Sequence, residues 1–342
     1  MTIREIINNQ NKPFIIAEMS GNHNQSLDRA LDIVDAAAKA GAHAIKLQTY
    51  TADTMTLPGV HRIEDKNSLW YGRELHELYQ EAYTPWEWHK PLFERAKGHG
   101  IFAFSTPFDE TAVDFLESLA MPFYKIASFE NTDWPLLKKV AQTKKPVIMS
   151  TGAATIASID EAVSILRENG CKELILLKCT STYPSSPENT NLLTIPHMSQ
   201  LFNCEVGLSD HTMGIGTALA AVALGARVIE KHFTLRRADG GVDSAFSIEP
   251  EELKSLVIES ERAYLALGKI QYGVQKAEEK SLLYKRSLFA SQNIVKGEKL
   301  TKENIRVIRP GTGLQPKYYD LVIGKTAQVD IARGTPLSWD LI

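Results

Sequence analysis

The chain has 342 residues, 44% of them hydrophobic and 23% charged, with a formal net charge of −3. That length suits one large domain plus a small one, or two medium ones, and the near-neutral balance excludes a broad electrostatic attraction to nucleic acid or an anionic membrane. No run approaches the roughly 18 apolar residues of a membrane span, MTIREIINNQNK lacks a signal peptide's apolar core, and Cys171, Cys179 and Cys204 read as small, reduced, buried thiols in a cytoplasm.

In chain order, short apolar runs alternate with amphipathic stretches. Strands are predicted at 14–17 (FIIA), 44–47, 101–105 (IFAFS), 123–127, 147–150, 174–178, 206–209 and 228–232. Helices are predicted at 27–40, 110–119, 134–142, 159–169, 215–224 and 250–267. Runs that are apolar on both faces and separated by helices imply a parallel sheet covered on both sides. Eight such repeats within about 268 residues imply an α/β fold of the (β/α)8 TIM-barrel type. A doubly wound open sheet is the alternative, but its early GxGxxG is missing, since the first turn reads MSGNHNQS.

After the second strand, the stretch 51–83 far exceeds the roughly 2–6 residues of an ordinary βα loop. An insert on a barrel's catalytic face commonly carries substrate contacts or a lid, and the aromatic SLWYGRELHELY implies partial order. Past Gly268 a polar stretch leads into short β-like runs broken by Gly and Pro. The expected division is a catalytic barrel over 1–268, a linker over 269–284 and an all-β module over 285–342. A core that small is marginal alone, so the module is expected to dock on something.

A barrel's chemistry sits where the C-terminal ends of its strands converge. Here every end is polar: Glu18; Lys46 and Gln48; Thr106; Lys125 and Ser128; Ser150 and Thr151; Lys178, with Ser181 and Tyr183 beyond; Ser209, Asp210 and His211; Glu230 and His232. Residues two apart share a face, so Lys46 aligns with Gln48 and Glu230 with His232, while Lys231 points toward a helix. Imidazoles on neighbouring strands, His211 and His232, suit a divalent cation whose shell Glu230 and water would complete. The competing reading is that each histidine simply hydrogen-bonds in the core or at the surface. Lys46 and Lys125, with the hydroxyls of Thr106, Ser128, Ser150 and Ser209, suit a doubly charged phosphate. The STG sequence is equally compatible with plain turn chemistry. His23, in the first βα loop, is a candidate to reach substrate.

These residues fall in EMSGNHN, IKLQT, FSTPFD, YKIASFE, IMSTG, CTSTYP, GLSDHT, EKHFT and RPGTGL, through which the chain resembles the sialic acid synthase family over essentially its whole length. The resemblance implies a TIM barrel with a C-terminal antifreeze-like (SAF) domain, and condensation of phosphoenolpyruvate with an amino sugar into a nine-carbon acidic sugar. It implies manganese or magnesium on His211 and His232. It also implies the phosphate among Lys46, Thr106, Lys125, Ser128, Ser150 and Ser209, and the sugar among Gln48, Phe108, Glu130, Ser181, Tyr183, Asp243 and the insert. Arg309, in RPGTGL, would reach the sugar's acyl group in the partner's site of a domain-swapped homodimer. Glu18 is the candidate general base or water-positioning group, with a structural acceptor for loop amides as its alternative. Within the family, LWYGRELHELYQEAYTPWEWH, ASFEN, DGGVDSAFSIEPEE and KRSLF are most similar to a branch whose sugar is 2,4-diacetamido-2,4,6-trideoxy-altrose. The alternatives are relatives that make legionaminic or neuraminic acid, a pyruvate-using metal aldolase on the same barrel, and a non-catalytic sugar-binding barrel.

Overall fold

The computed structural model of the protein describes residues 12–342. Phe14–Glu18 is apolar up to its last residue and is buried throughout as strand β1. Apolar runs with polar residues at or near their C-terminal ends likewise build β2 (Ala44–Thr49), β3 (Phe102–Pro107), β4 (Tyr124–Ile126), β5 (Val147–Ser150), β6 (Leu174–Cys179), β7 (Glu205–Asp210) and β8 (Val228–His232). All pair in parallel, in the order β3-β2-β1-β8-β7-β6-β5-β4. The β3 and β4 edges lie side by side to complete a TIM barrel, and the rings of Phe104 and Phe123 pack there at 4.5 Å.

Helices form where a capping side chain precedes an apolar stripe. Ser26 accepts the Arg29 N–H at 3.2 Å and starts Leu27–Ala40, which buries Ile33, Val34 and Ala37. Gly41, at φ 91°, ends it in the left-handed conformation that glycine tolerates. Asp109, Asp133 and Thr155 likewise cap Glu110–Ser118, Trp134–Gln142 and Ile156–Glu168. Two barrel helices that the periodicity did not mark, His89–Gly98 and Thr194–Phe202, have no side-chain cap and carry a proline in their first turn.

Register brings the polar strand ends together. Glu18 lies opposite both Lys46 on β2 and His232 on β8, and Ser209 lies opposite both Cys179 and Glu230. The 51–83 insert is ordered. Helices Ala52–Met55 and Leu75–Ala82 flank a turn in which Ile63 N–H donates to Arg73 O at 2.9 Å and Gly72 N–H to Ile63 O at 2.8 Å. Among the described residues, no helix is long and apolar enough to cross a membrane.

The chain divides after Gly268, and Lys269–Ile342 forms a compact unit of its own. In it β9 (Ser287–Ala290) pairs antiparallel with β10 (Ile305–Ile308), over a small core that includes Leu288, Ile294, Leu300, Ile305 and Ile331.

Candidate active site

Four charged residues stand at most 5% exposed in the barrel mouth: Glu18, Lys46, Lys125 and Glu230. Lys46 forms an ion pair with Glu18 and donates to Thr106 Oγ1 at 3.2 Å. Lys125 donates to Ser150 Oγ at 2.7 Å and stands 3.7 Å from Glu230, which in turn accepts the Ser209 hydroxyl at 3.0 Å. Burial pushes the Glu18 carboxyl up to about 7, against the pull of Lys46. Burial acts on Glu230 in the same sense, but Lys125 and Lys46 outweigh it and hold that carboxyl below its ordinary value. Near neutrality the two ammonium groups therefore face one firm carboxylate and one that is half protonated. The surplus positive charge suits an anion.

The hydroxyls around these lysines are packed closely. Ser128 Oγ accepts the Gly152 N–H at 3.1 Å. Gly152 of the STG sequence is not in the left-handed region, and a Cβ there would overlap the hydroxyls of Ser181 and Ser128. Glycine serves here to make room for the converging hydroxyls of Ser128 and Ser181.

Beside this cluster the rings of His211 and His232 lie 5.3 Å apart. His211 Nδ1 is 2.9 Å from Thr180 O. That carbonyl can only accept, so Nδ1 carries a proton there. Burial is outweighed by the Cys179 contact, which raises the His211 pKa, so Nε2 becomes a ligand once it has given up its own proton. His232 Nδ1 is buried without a hydrogen-bond partner, as is Glu230 Oε2. Burial, reinforced by His211, keeps the His232 imidazole neutral, as a ligand must be. Among the described residues, no group of three or more His, Cys, Asp or Glu side chains forms a self-contained metal cage. The donors brought together are the two imidazoles, so the remaining ligands of any cation held there would have to be substrate and water.

Next to the imidazoles opens a cavity of about 410 Å³. The barrel lines it with Gln48, Phe108, Glu130, Tyr183 and Asp243, and the insert contributes Met55, Ile63, Trp70, Leu75 and Tyr79. Trp70 Nε1 donates to Val242 O at 3.0 Å, tying the insert to the loop after β8. Burial pushes Glu130 up to about 7, and its Oε2 has no hydrogen-bond partner. Asp243 accepts the Ser20 hydroxyl and is also pushed up by burial.

The expected phosphate and metal residues therefore gather in one place, and the expected sugar residues Gln48, Phe108, Glu130, Tyr183 and Asp243 line the adjoining cavity. Ser181 sits just beside them, 3.7 Å from Cys179. His23 does not join them. It is buried, with Nδ1 accepting the Gln25 N–H at 3.1 Å and its ring 5.5 Å from Trp88, so its role is packing. Lys178 and Thr151 also diverge, lining a separate cavity with Ile156 and His197. Lys178 donates to Cys179 O at 2.8 Å. Lys231 turns away as alternation requires and pairs with Asp210 at 2.8 Å. Arg309 belongs to the second unit.

Ser20 and Tyr50 escaped the sequence reading, whereas Trp70 and Tyr79 fall in the insert that it named as a whole. Tyr50 was within reach, since it lies two residues beyond Gln48 on the same face. Cys179, read as a bland core thiol, lies 3.9 Å from His211 Nδ1.

Comparisons with known proteins agree with this geometry. Residues 33–272 match the NeuB family, and residues 285–342 match the SAF domain. The chain is 46% identical over 333 residues to a pseudaminic acid synthase of Campylobacter jejuni, covering 96% of each chain. It is 44% identical to a pseudaminic acid synthase of Helicobacter pylori, covering 96% of this chain and 97% of the other. Among solved structures, an N-acetylneuraminic acid (sialic acid) synthetase of Leptospira borgpetersenii, in complex with citrate, superposes with a TM-score of 0.71 at 36% identity, covering 80% of this chain and 92% of that one.

Proposed function

The chain belongs to the NeuB family, and from that premise we propose that it is a cytoplasmic pseudaminic acid synthase. It condenses phosphoenolpyruvate with 2,4-diacetamido-2,4,6-trideoxy-altrose and water, releasing phosphate. One observation carries the choice of sugar. The insert walls the cavity beside the phosphate cluster with Met55, Ile63, Trp70 and Leu75, while the polar groups of Gln48, Glu130, Tyr183 and Asp243 come from the barrel. A sugar with a methyl in place of its terminal hydroxyl leaves fewer polar groups unpaired against such a wall than a fully hydroxylated hexosamine does.

In this reading Lys46 and Lys125 neutralise the phosphate, and the hydroxyls of Thr106, Ser128, Ser150 and Ser209 orient it. Carbon 3 of phosphoenolpyruvate adds to the open-chain aldehyde, leaving a cationic centre at carbon 2. Water positioned by Glu18 adds to that centre, and the proton it releases neutralises the alkoxide formed from the aldehyde. The bond between carbon 2 and the phosphate oxygen then breaks, giving the keto acid and phosphate, and the two lysines ease the departure. His211 and His232 would hold a divalent cation (Mn2+ or Mg2+), which would supply Lewis acidity to the aldehyde. Gln48, Phe108, Glu130, Ser181, Tyr183 and Asp243 hold the sugar. In a domain-swapped homodimer, Arg309 reaches the acyl group in the partner's site.

The test is phosphate release from phosphoenolpyruvate with a panel of sugars. The expected result is turnover with the diacetamido-trideoxy-altrose at a kcat/KM at least about tenfold above that with N-acetylmannosamine. A preference for N-acetylmannosamine, or for the legionaminic acid precursor, would overturn the assignment of the sugar.

A further inference from the structure

Ser20, in the turn after β1, is 3% exposed and adopts φ +47°. A non-glycine residue takes that left-handed conformation only at a cost. The turn lets one residue face two carboxylates. Its N–H donates to Glu18 Oε1 at 3.0 Å, and its hydroxyl donates to Asp243 Oδ2. The other oxygen of Glu18 pairs with Lys46, on the phosphate side. Asp243 lines the sugar cavity, 3.7 Å from His232 Nδ1.

The rest of the turn is anchored independently of that hydroxyl. Asn22 Nδ2 donates to Phe233 O at 2.9 Å and to Ser247 Oγ at 2.8 Å, and Ser247 Oγ donates to Asp243 O at 2.7 Å. Glycine would adopt this backbone without strain. The strained serine therefore contributes something glycine lacks, and its hydroxyl is the only group glycine lacks there.

We propose that Ser20 is a positioning residue for the sugar half of the reaction: its hydroxyl aims the Asp243 carboxylate into the sugar cavity. The inference rests on the condensation proposed above. The amide that steadies Glu18 survives any substitution except proline, so the phosphate half keeps its geometry when the hydroxyl is removed. Loss of the hydroxyl should then weaken the sugar's interactions and spare those of phosphoenolpyruvate.

The test compares Ser20→Gly and Ser20→Ala with the wild type, all as the full chain, by steady-state phosphate release and thermal melting. Both variants are expected to lose about tenfold to a hundredfold in kcat/KM for the sugar. Their KM for phosphoenolpyruvate should stay within about twofold of the wild type. Ser20→Gly should melt no lower than the wild type and above Ser20→Ala, because glycine relieves the backbone. A serine with only a structural role would make activity follow melting temperature, leaving Ser20→Gly fully active, and that result overturns the proposal. An equal rise in KM for both substrates overturns it too. If the wild type itself releases no phosphate from this substrate pair, the parent reading fails and takes the inference with it. Wild-type turnover with an unaffected Ser20→Gly removes the inference alone.

Discussion

At the scale of single residues, the mouth is governed by how burial divides charge between two carboxylates. Glu230 is held ionised by both lysines, whereas Glu18 is pushed up to about 7. A phosphate arriving at Lys46 adds negative charge beside Glu18 and favours its protonated form. Binding of phosphoenolpyruvate should therefore take up a proton, and it should weaken as pH rises above about 7 by at most about tenfold per unit. Glu18→Gln, which mimics the neutral carboxyl, should abolish both effects. Titration calorimetry in buffers of different ionisation enthalpy measures the proton uptake. Zero uptake by the wild type, or an unchanged pH dependence in Glu18→Gln, would contradict this assignment of charge.

At the scale of elements, the insert is held over the sugar cavity by a few identifiable contacts. Trp70→Phe keeps the ring but removes the bond to Val242 O, a loss worth about 1 kcal/mol. The expected result is a severalfold rise in KM for the sugar, no change for phosphoenolpyruvate, and faster proteolysis within 51–83. An unchanged sugar KM would mean the insert does not shape the pocket. This element also marks where sequence reasoning ran out. Its length and aromatic content signalled order, but nothing local indicated that Trp70 would meet a carbonyl 172 residues away. The barrel strands were legible because each apolar run ends in polar residues, and alternation then placed Lys46, Gln48 and His232 correctly. The same rule misplaced Lys178, because being at a strand's end does not say which face a residue occupies. Among the side-chain-capped helices, the start of Ile156–Glu168 was read three residues late, while Leu27–Ala40 and Trp134–Gln142 were legible to the residue. His89–Gly98 and Thr194–Phe202, uncapped and with an early proline, were not. His23 lay in the right loop, but whether its ring faced substrate or Trp88 depended on packing that a linear pattern does not carry.

At the scale of the molecule, the barrel holds three neutral histidines away from His211 and His232: His23 and His89, which are buried, and His43, which is partly so. Burial pushes each down to about 4. His43 Nδ1 accepts the Ile15 N–H at 2.9 Å, a bond that protonation would break. The folded state thus binds fewer protons than the unfolded chain between about 4 and 6.5. Their contribution to stability is complete above about 6.5 and shrinks as pH falls toward 4, each by at most about 1.4 kcal/mol per unit. Urea denaturation at a series of pH values in this window should show the loss, and a flat profile would contradict it. The same barrel gathers lysines, hydroxyls and imidazoles into one mouth, which in the proposed reaction breaks the carbon–oxygen bond of phosphoenolpyruvate while joining it to an aldehyde. The direct test uses phosphoenolpyruvate with an oxygen-18 label in the atom bridging carbon 2 and phosphorus, incubated with the diacetamido sugar. The expected result is labelled phosphate, formed one for one with the nonulosonic acid; unlabelled phosphate, or product formed without phosphate, would contradict that bond cleavage.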